Sequence, residues 1–218
     1  MIAIDYHEKP FYGDKKIREV VGCKRKAGTN YAYKYITASI VEEGVRFNLG
    51  CLPVTQFDLE EDLLRTLISK CRKYVEIGVV LLDRGFNSIE DYKLLGEELR
   101  LKFIMPQTKN SKLQKMLESK ELKVYSQFEY IFNEHRAKEY HYKARMFYIT
   151  NEKGEKYAFV TNIHTINEEL LKLIVQAYDK RWGIETGYRV KHDFLCKTTS
   201  KSFSVRTFFA QLAFLLQD

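Results

Sequence analysis

The sequence predicts an α/β protein, a mixed sheet flanked by helices. Three observations carry that expectation. Early segments rich in β-branched and aromatic residues form a hairpin pattern, a helical pattern lies between two short apolar runs at 78–82 and 102–105, and aromatic residues alternate with charges from Tyr125 to Tyr148.

Ile2-Ala3-Ile4-Asp5 is a short apolar run ending in an acid, and Pro10 and Gly13 mark a turn after it. The basic segment from Lys15 to Lys26 reads as loop or short helix. Tyr33 to Val41 and Val45 to Leu52 read as strands joined through Glu42-Glu43-Gly44. With the opening run they give three early antiparallel strands.

Asp58 followed by Glu61 resembles a capping box, and Leu59, Leu63, Leu64, Leu67, Ile68 and Cys71 recur at helical spacing. That predicts an amphipathic helix over 59–74. Gly78 to Leu82 is too short for a helix and reads as a buried strand, with Asp83 just beyond it. Ser88 with Asp91 opens another helix to about Leu99, and Lys102 to Met105 forms a strand closed by Pro106. A helix between two strands makes a βαβ unit, whose strands are parallel.

From about 107 to 162 the character changes. A basic stretch with Lys109, Lys112 and Lys115 leads into strand-like segments at 122–132, 140–150 and 157–162. These read as a β-rich insertion, whose aromatic alternation from Tyr125 to Tyr148 forms the buried face of a small sheet. Thr165 with Glu168 resembles a further capping box, and Leu170, Leu171, Leu173, Ile174 and Ala177 carry a helix towards Glu185. Gly183 and Gly187 each weaken that helix by about 1 kcal/mol relative to alanine. Phe203 to Gln217 is apolar and helix-like.

With 218 residues and 45% hydrophobic content the chain can bury the core of one large domain, 1–218, carrying the insertion. Its 30% charged and 14% aromatic residues exclude a disordered class. No apolar run matches a bilayer and no signal-peptide pattern opens the chain, so no membrane partner is expected. The scattered Cys23, Cys51, Cys71 and Cys196 suit free thiols in a reducing cytoplasm. The net charge of +7 is uneven: 8 basic and 4 acidic side chains over 1–34, 7 and 12 over 35–99, 11 and 5 over 100–145. Positive flanks around an acidic centre point to a polyanionic partner.

The densest chemistry lies at Tyr178-Asp-Lys-Arg181-Trp-Gly-Ile-Glu185 and the basic run to His192. On a helix, Arg181 and Tyr178 stand one and two turns before Glu185 and share its face. Asp5, Asp83 and Glu185, on a first strand, a later buried strand and a late helix, describe an RNase H-like site. Carboxylate oxygens suit Mg2+, with Mn2+ as a substitute. Two such ions about 3.5–4 Å apart can activate a nucleophile and stabilise the leaving oxygen. Trp182 could stack on a base or pack on the core, and His7, His135, His141 and His164 form no ligand spacing.

Ala3-Ile4-Asp5 with Pro10-Phe11-Tyr12-Gly13, Leu81-Leu82-Asp83-Arg84-Gly85-Phe86, and Tyr178-x-x-Arg181-x-x-x-Glu185 together resemble the DDE transposases of prokaryotic insertion sequences, in the group with a Tyr-Arg-Glu-Lys signature. The resemblance implies an RNase H-like fold with a β-rich insertion before the catalytic helix. It implies a metal-dependent enzyme that nicks transposon ends and joins them to target DNA, with Asp5, Asp83 and Glu185 as ligands of two Mg2+ ions. Tyr178 and Arg181 would hold phosphates, and Arg84 could orient Asp83 or touch DNA. It further implies double-stranded DNA partners, a homodimer in a synaptic complex and a place in the cytoplasm with the nucleoid.

Two departures stand out. The family's lysine falls seven residues after the glutamate, where this chain has His192; Lys191 is one residue early, about 100° away around the helix. Either a local irregularity realigns Lys191, or His192 and Arg189 share its role. Relatives also carry a DNA-recognition domain before the first aspartate, so the chain reads as a catalytic fragment, an excised domain or a decayed reading frame. Two other readings stay open: an RNase H-like structure-specific nuclease without strand transfer, and an inactive DNA-binding remnant.

Overall fold

A computed structural model describes residues 1–13, 17–42, 45–107, 111–119, 125–133, 141–150, 156–164, 167, 169, 170, 198, 200 and 202–217. The chain divides into two compact units, 1–77 with 167–218, and 78–166. In chain order the described elements are β1 (Ile2–Pro10), β2 (Val21–Lys26), β3 (Thr29–Glu42), β4 (Val45–Val54), α1 (Glu60–Cys71), β5 (Val79–Leu82), α2 (Ile89–Lys93, running on as one wide turn over Leu94–Glu98), β6 (Lys102–Pro106), α3 (Ser111–Ser119), β7 (Tyr125–Asn133), β8 (His141–Thr150), β9 (Lys156–Thr161) and α4 (Phe203–Gln217).

The first unit is organised around β3, the longest strand. β1 runs antiparallel along one edge, with Asp5 opposite Thr37 and His7 opposite Tyr35. β2 and β4 share the other edge, also antiparallel. Alternation then sorts the side chains to two faces. His7, Tyr33 and Tyr35 face α4: His7 meets Phe214 edge-on at 6.2 Å, and both tyrosines join Val20 and Ala210 in one buried cluster. Tyr6 points the other way, to α1, where its hydroxyl donates to Glu60 at 2.5 Å. Leu64, Leu67, Ile68 and Cys71 stand at i, i+3, i+4 and i+7 and form the buried face of α1.

The second unit holds the βαβ element. β5 and β6 are parallel, with Val80 beside Phe103, and the sheet then turns antiparallel through β9, β8 and β7. The insertion strands thus extend the sheet of the βαβ element. Phe128, Tyr130 and Phe132, at every second position of β7, pack on Leu113, Met146, Tyr148 and Ala158. The expected capping box forms: the Asp91 amide donates to Ser88 Oγ at 3.0 Å and the Ser88 amide to Asp91 Oδ2 at 3.1 Å.

Several expectations need correction. β1 does not end at Asp5 but runs to Pro10, because β3 is long enough to pair every residue from Ile2 to Pro10. Part of the basic segment expected as loop or helix is the strand β2. It turns into β3 through Ala27-Gly28, where Gly28 has φ +82°, a conformation glycine adopts without penalty. Its cations face solvent, so it shows no apolar alternation to read. Asp58 does not cap α1; its carboxylate accepts from the Thr55 amide at 2.6 Å, the N-cap is Leu59 without a side-chain bond, and the helix stops at Cys71. Within the basic stretch, to which the sequence assigned no element, residues 111–119 form a helix anchored by Leu113. The box expected at Thr165 and Glu168 lies outside the described residues, and Asn167 Oδ1 accepts from the Leu170 amide at 2.8 Å.

Candidate functional site

Asp5 sits in mid-strand among the most buried residues of β1: Ala3 is 2% exposed, Ile4 0% and Asp5 itself 9%. It shares with His7 the face that α4 packs against. The Tyr6 amide donates to Asp5 Oδ1 at 2.7 Å and Thr37 Oγ1 donates to the Asp5 carbonyl at 3.2 Å, so backbone and side chain are both held.

Asp83 follows the last residue of β5. Leu82 before it and Phe86 after it are fully buried, while Asp83 is half-buried and Arg84 and Gly85 are exposed. The Phe86 amide closes the turn on the Asp83 carbonyl at 3.1 Å. A brace not foreseen from sequence fixes the far side of this turn. Asn87 Oδ1 accepts from the Tyr92 hydroxyl and, at 2.7 Å, from Gln107 Nε2, and the Gln107 amide donates to the Ala158 carbonyl at 2.7 Å. Burial raises the Tyr92 hydroxyl pKa far above its usual value, so it remains a donor at any working pH. Nothing in the spacing of Asn87, Tyr92 and Gln107 signals the brace; only the pairing of β6 with its neighbours brings Gln107 to Asn87.

Tyr178, Arg181, Glu185, Arg189, Lys191 and His192 lie outside the described residues, as does Trp182. Among the described residues no three His, Cys, Asp or Glu side chains are grouped to hold a metal ion. The donor chemistry of the two described candidates still fits a hard divalent cation: both are carboxylates. Among the described residues Cys23, Cys51 and Cys71 form no disulfide, and burial pushes the Cys71 thiol up to about 11.

The sequence profile of the family described as Transposase DDE domain matches residues 52–216, three-quarters of the chain. The chain belongs to the DDE-domain transposases. The matched stretch contains Asp83 and the whole Tyr178-to-Glu185 motif and begins downstream of Asp5. The fold agrees with this membership. It is similar to that of piggyBac transposase, solved by cryo-electron microscopy as a synaptic complex with hairpin DNA, with a TM-score of 0.65 at 11% identity. The similarity covers 99% of this chain and 45% of that one, so the chain spans under half the length of its structural relative. The architecture is therefore the RNase H-like one of DDE transposases. No curated protein matches the sequence. Among the described residues no helix is long and apolar enough to cross a membrane.

Proposed function

We propose that residues 1–218 work as a transposase catalytic domain that cuts DNA at the ends of an insertion sequence and joins those ends to a target. The observation that carries this reading is the family match over 52–216, which takes in both the Leu82-Asp83-Arg84-Gly85 turn and the Tyr178/Arg181/Glu185 motif. Asp5, Asp83 and Glu185 are the residues that would hold two divalent ions, Mg2+ with Mn2+ as substitute. Bound there, the ions supply activation of the attacking oxygen and stabilisation of the leaving oxygen in an in-line displacement.

The chain's own groups do the rest. The Tyr6 amide holds the carboxylate of Asp5, Thr37 Oγ1 holds its backbone carbonyl, and the Asn87 brace holds the far side of the Asp83 turn. A carboxylate that is already oriented costs no reorganisation when substrate arrives. Arg181, with Tyr178 three residues before it, holds a phosphate beside the scissile bond. Arg84, Arg189 and Lys191 or His192 take neighbouring phosphates. Double-stranded DNA is the substrate, a homodimer pairs two ends in a synaptic complex, and the protein works in the cytoplasm on the nucleoid. The neighbour solved as a synaptic complex with hairpin DNA supports the DNA and assembly parts of this reading.

The test is incubation of the protein with Mg2+ and a supercoiled plasmid carrying both DNA flanks of its own gene. Nicked plasmid together with end-joined product is expected, and both should vanish in Asp83→Asn. Hydrolysis without any joined product would replace this reading with a nuclease; no cleavage by the wild-type chain would reject it.

A further inference from the structure

Between Glu19 and Glu42 the chain carries Lys24, Arg25, Lys26 and Lys34 and not one carboxylate. Three of these cations are consecutive on β2, all exposed, where the strand approaches the Ala27-Gly28 turn. The pairing register between β2 and β3 shifts between Gly22 and Lys26, so the strand is irregular where the cations sit. Lys26 reaches Glu8 at 3.6 Å, and among the described residues Lys24 and Arg25 have no ion-pair partner. Beside the turn lies Tyr12, 69% exposed, its ring 3.5 Å from where a Cβ on Gly28 would stand.

Lysines on an edge strand commonly block pairing with other chains. Surfaces ordinarily intersperse both signs unless a field of one sign steers a charged partner, and this hairpin tip carries three cations in a row with an exposed aromatic ring next to them. We infer that the β2–β3 hairpin tip is a second duplex-DNA contact that uses none of the three carboxylates. Lys24, Arg25 and Lys26, spread around the hairpin tip, meet backbone phosphates and Tyr12 lies against an adjoining sugar. Such a contact positions the duplex without reading its sequence. It rests on the reading of the chain as a DNA-acting transposase and adds to it a grip outside the cleavage motifs.

Binding of the whole chain to a random-sequence duplex is measured by fluorescence anisotropy across a salt series. The variants are the triple Lys24→Gln/Arg25→Gln/Lys26→Gln and a control losing equal charge elsewhere, Lys70→Gln/Lys73→Gln/Lys102→Gln. Removing one cation that neutralises a phosphate flattens the log–log salt slope by about 0.9. The hairpin triple is therefore expected to flatten it by about 2–3, with the control close to wild type. All six positions are exposed, so the melting temperature of each variant should hold. Equal slopes in wild type and the hairpin triple, with wild-type plasmid cleavage intact, would overturn the inference alone. Equal flattening in both triples would overturn it in favour of net charge. Absence of wild-type DNA binding would overturn it together with the transposase reading.

Discussion

The backbone amide of Tyr6 donates to Asp5 Oδ1 across 2.7 Å, fixing the orientation of a carboxylate that is 9% exposed. Asp5→Asn keeps an acceptor for that amide and removes only the negative charge. Plasmid cleavage is expected to fall by about 10²–10³-fold, the scale of losing one preorganised electrostatic group, while duplex affinity changes little. Asp83→Asn and Glu185→Gln should behave alike. Cleavage persisting in any one of the three would strike that residue from the site.

Arg181→Ala removes a guanidinium suited to bidentate phosphate contact. Binding to transposon-end DNA should weaken by about 1.5–3 kcal/mol, the worth of a hydrogen bond to a charged group. An unchanged dissociation constant and cleavage rate would count against its phosphate role.

Ser88→Ala opens the capping box beneath the Asp83 turn, with Asp91 fully buried behind it. The expected loss is about 1 kcal/mol, read as a melting midpoint lower by about 2–4 °C for a protein of this size. A midpoint equal to wild type would mean the box contributes nothing to stability.

Gly96 sits against the hydroxyl of Tyr142, and a Cβ at that position would collide with the oxygen. Gly96→Ala should therefore destabilise by about 1–3 kcal/mol, the usual cost of overpacking. Adding Tyr142→Phe removes the obstructing oxygen and should recover part of the loss. Additive losses in the double variant, measured by urea unfolding, would refute the steric account.

Burial pushes Cys71 up to about 11 and Tyr35 up to about 12; burial, with Glu97 nearby, pushes Tyr142 up to about 12. In the unfolded chain these groups ionise near 9.0 and 10.0. The unfolded state therefore loses protons first as pH rises. The stability from keeping these groups neutral is complete below about pH 9 and is lost between there and about pH 12. Urea midpoints taken upward from about pH 8.5 should decline, and Tyr142→Phe should make the decline shallower. A flat profile would show that the three groups do not ionise on unfolding.

Where local chemistry dictated the outcome, the sequence was a good guide. Ser88 and Asp91 stand three apart and form their box because both partners come from one turn of helix. The βαβ unit around them was legible because apolar runs of strand length flank a helical period. Where the decision was made between distant segments, it was not. The carboxylate of Asp58 had the spacing to cap α1, yet it bonds to Thr55 in the preceding turn. β2 became a strand because β3 offers it an edge, although its exposed Lys24, Arg25 and Lys26 carry no strand pattern.

The same division runs through the candidate site. Asp83 at the end of β5, and the identity of the three acids as candidates, followed from residue types and apolar runs read along the chain. That Asp5 lies in mid-strand, held by the Tyr6 amide and backed by Thr37, was decided by the register of β1 on β3. That Asn87 is braced by Tyr92 and Gln107 was decided by the sheet that carries β6. Periodicity and capping act within a few residues and are written in the local order of side chains. Register and long-range hydrogen bonds depend on which strand edges and buried polar atoms meet after collapse, and no local pattern encodes that meeting.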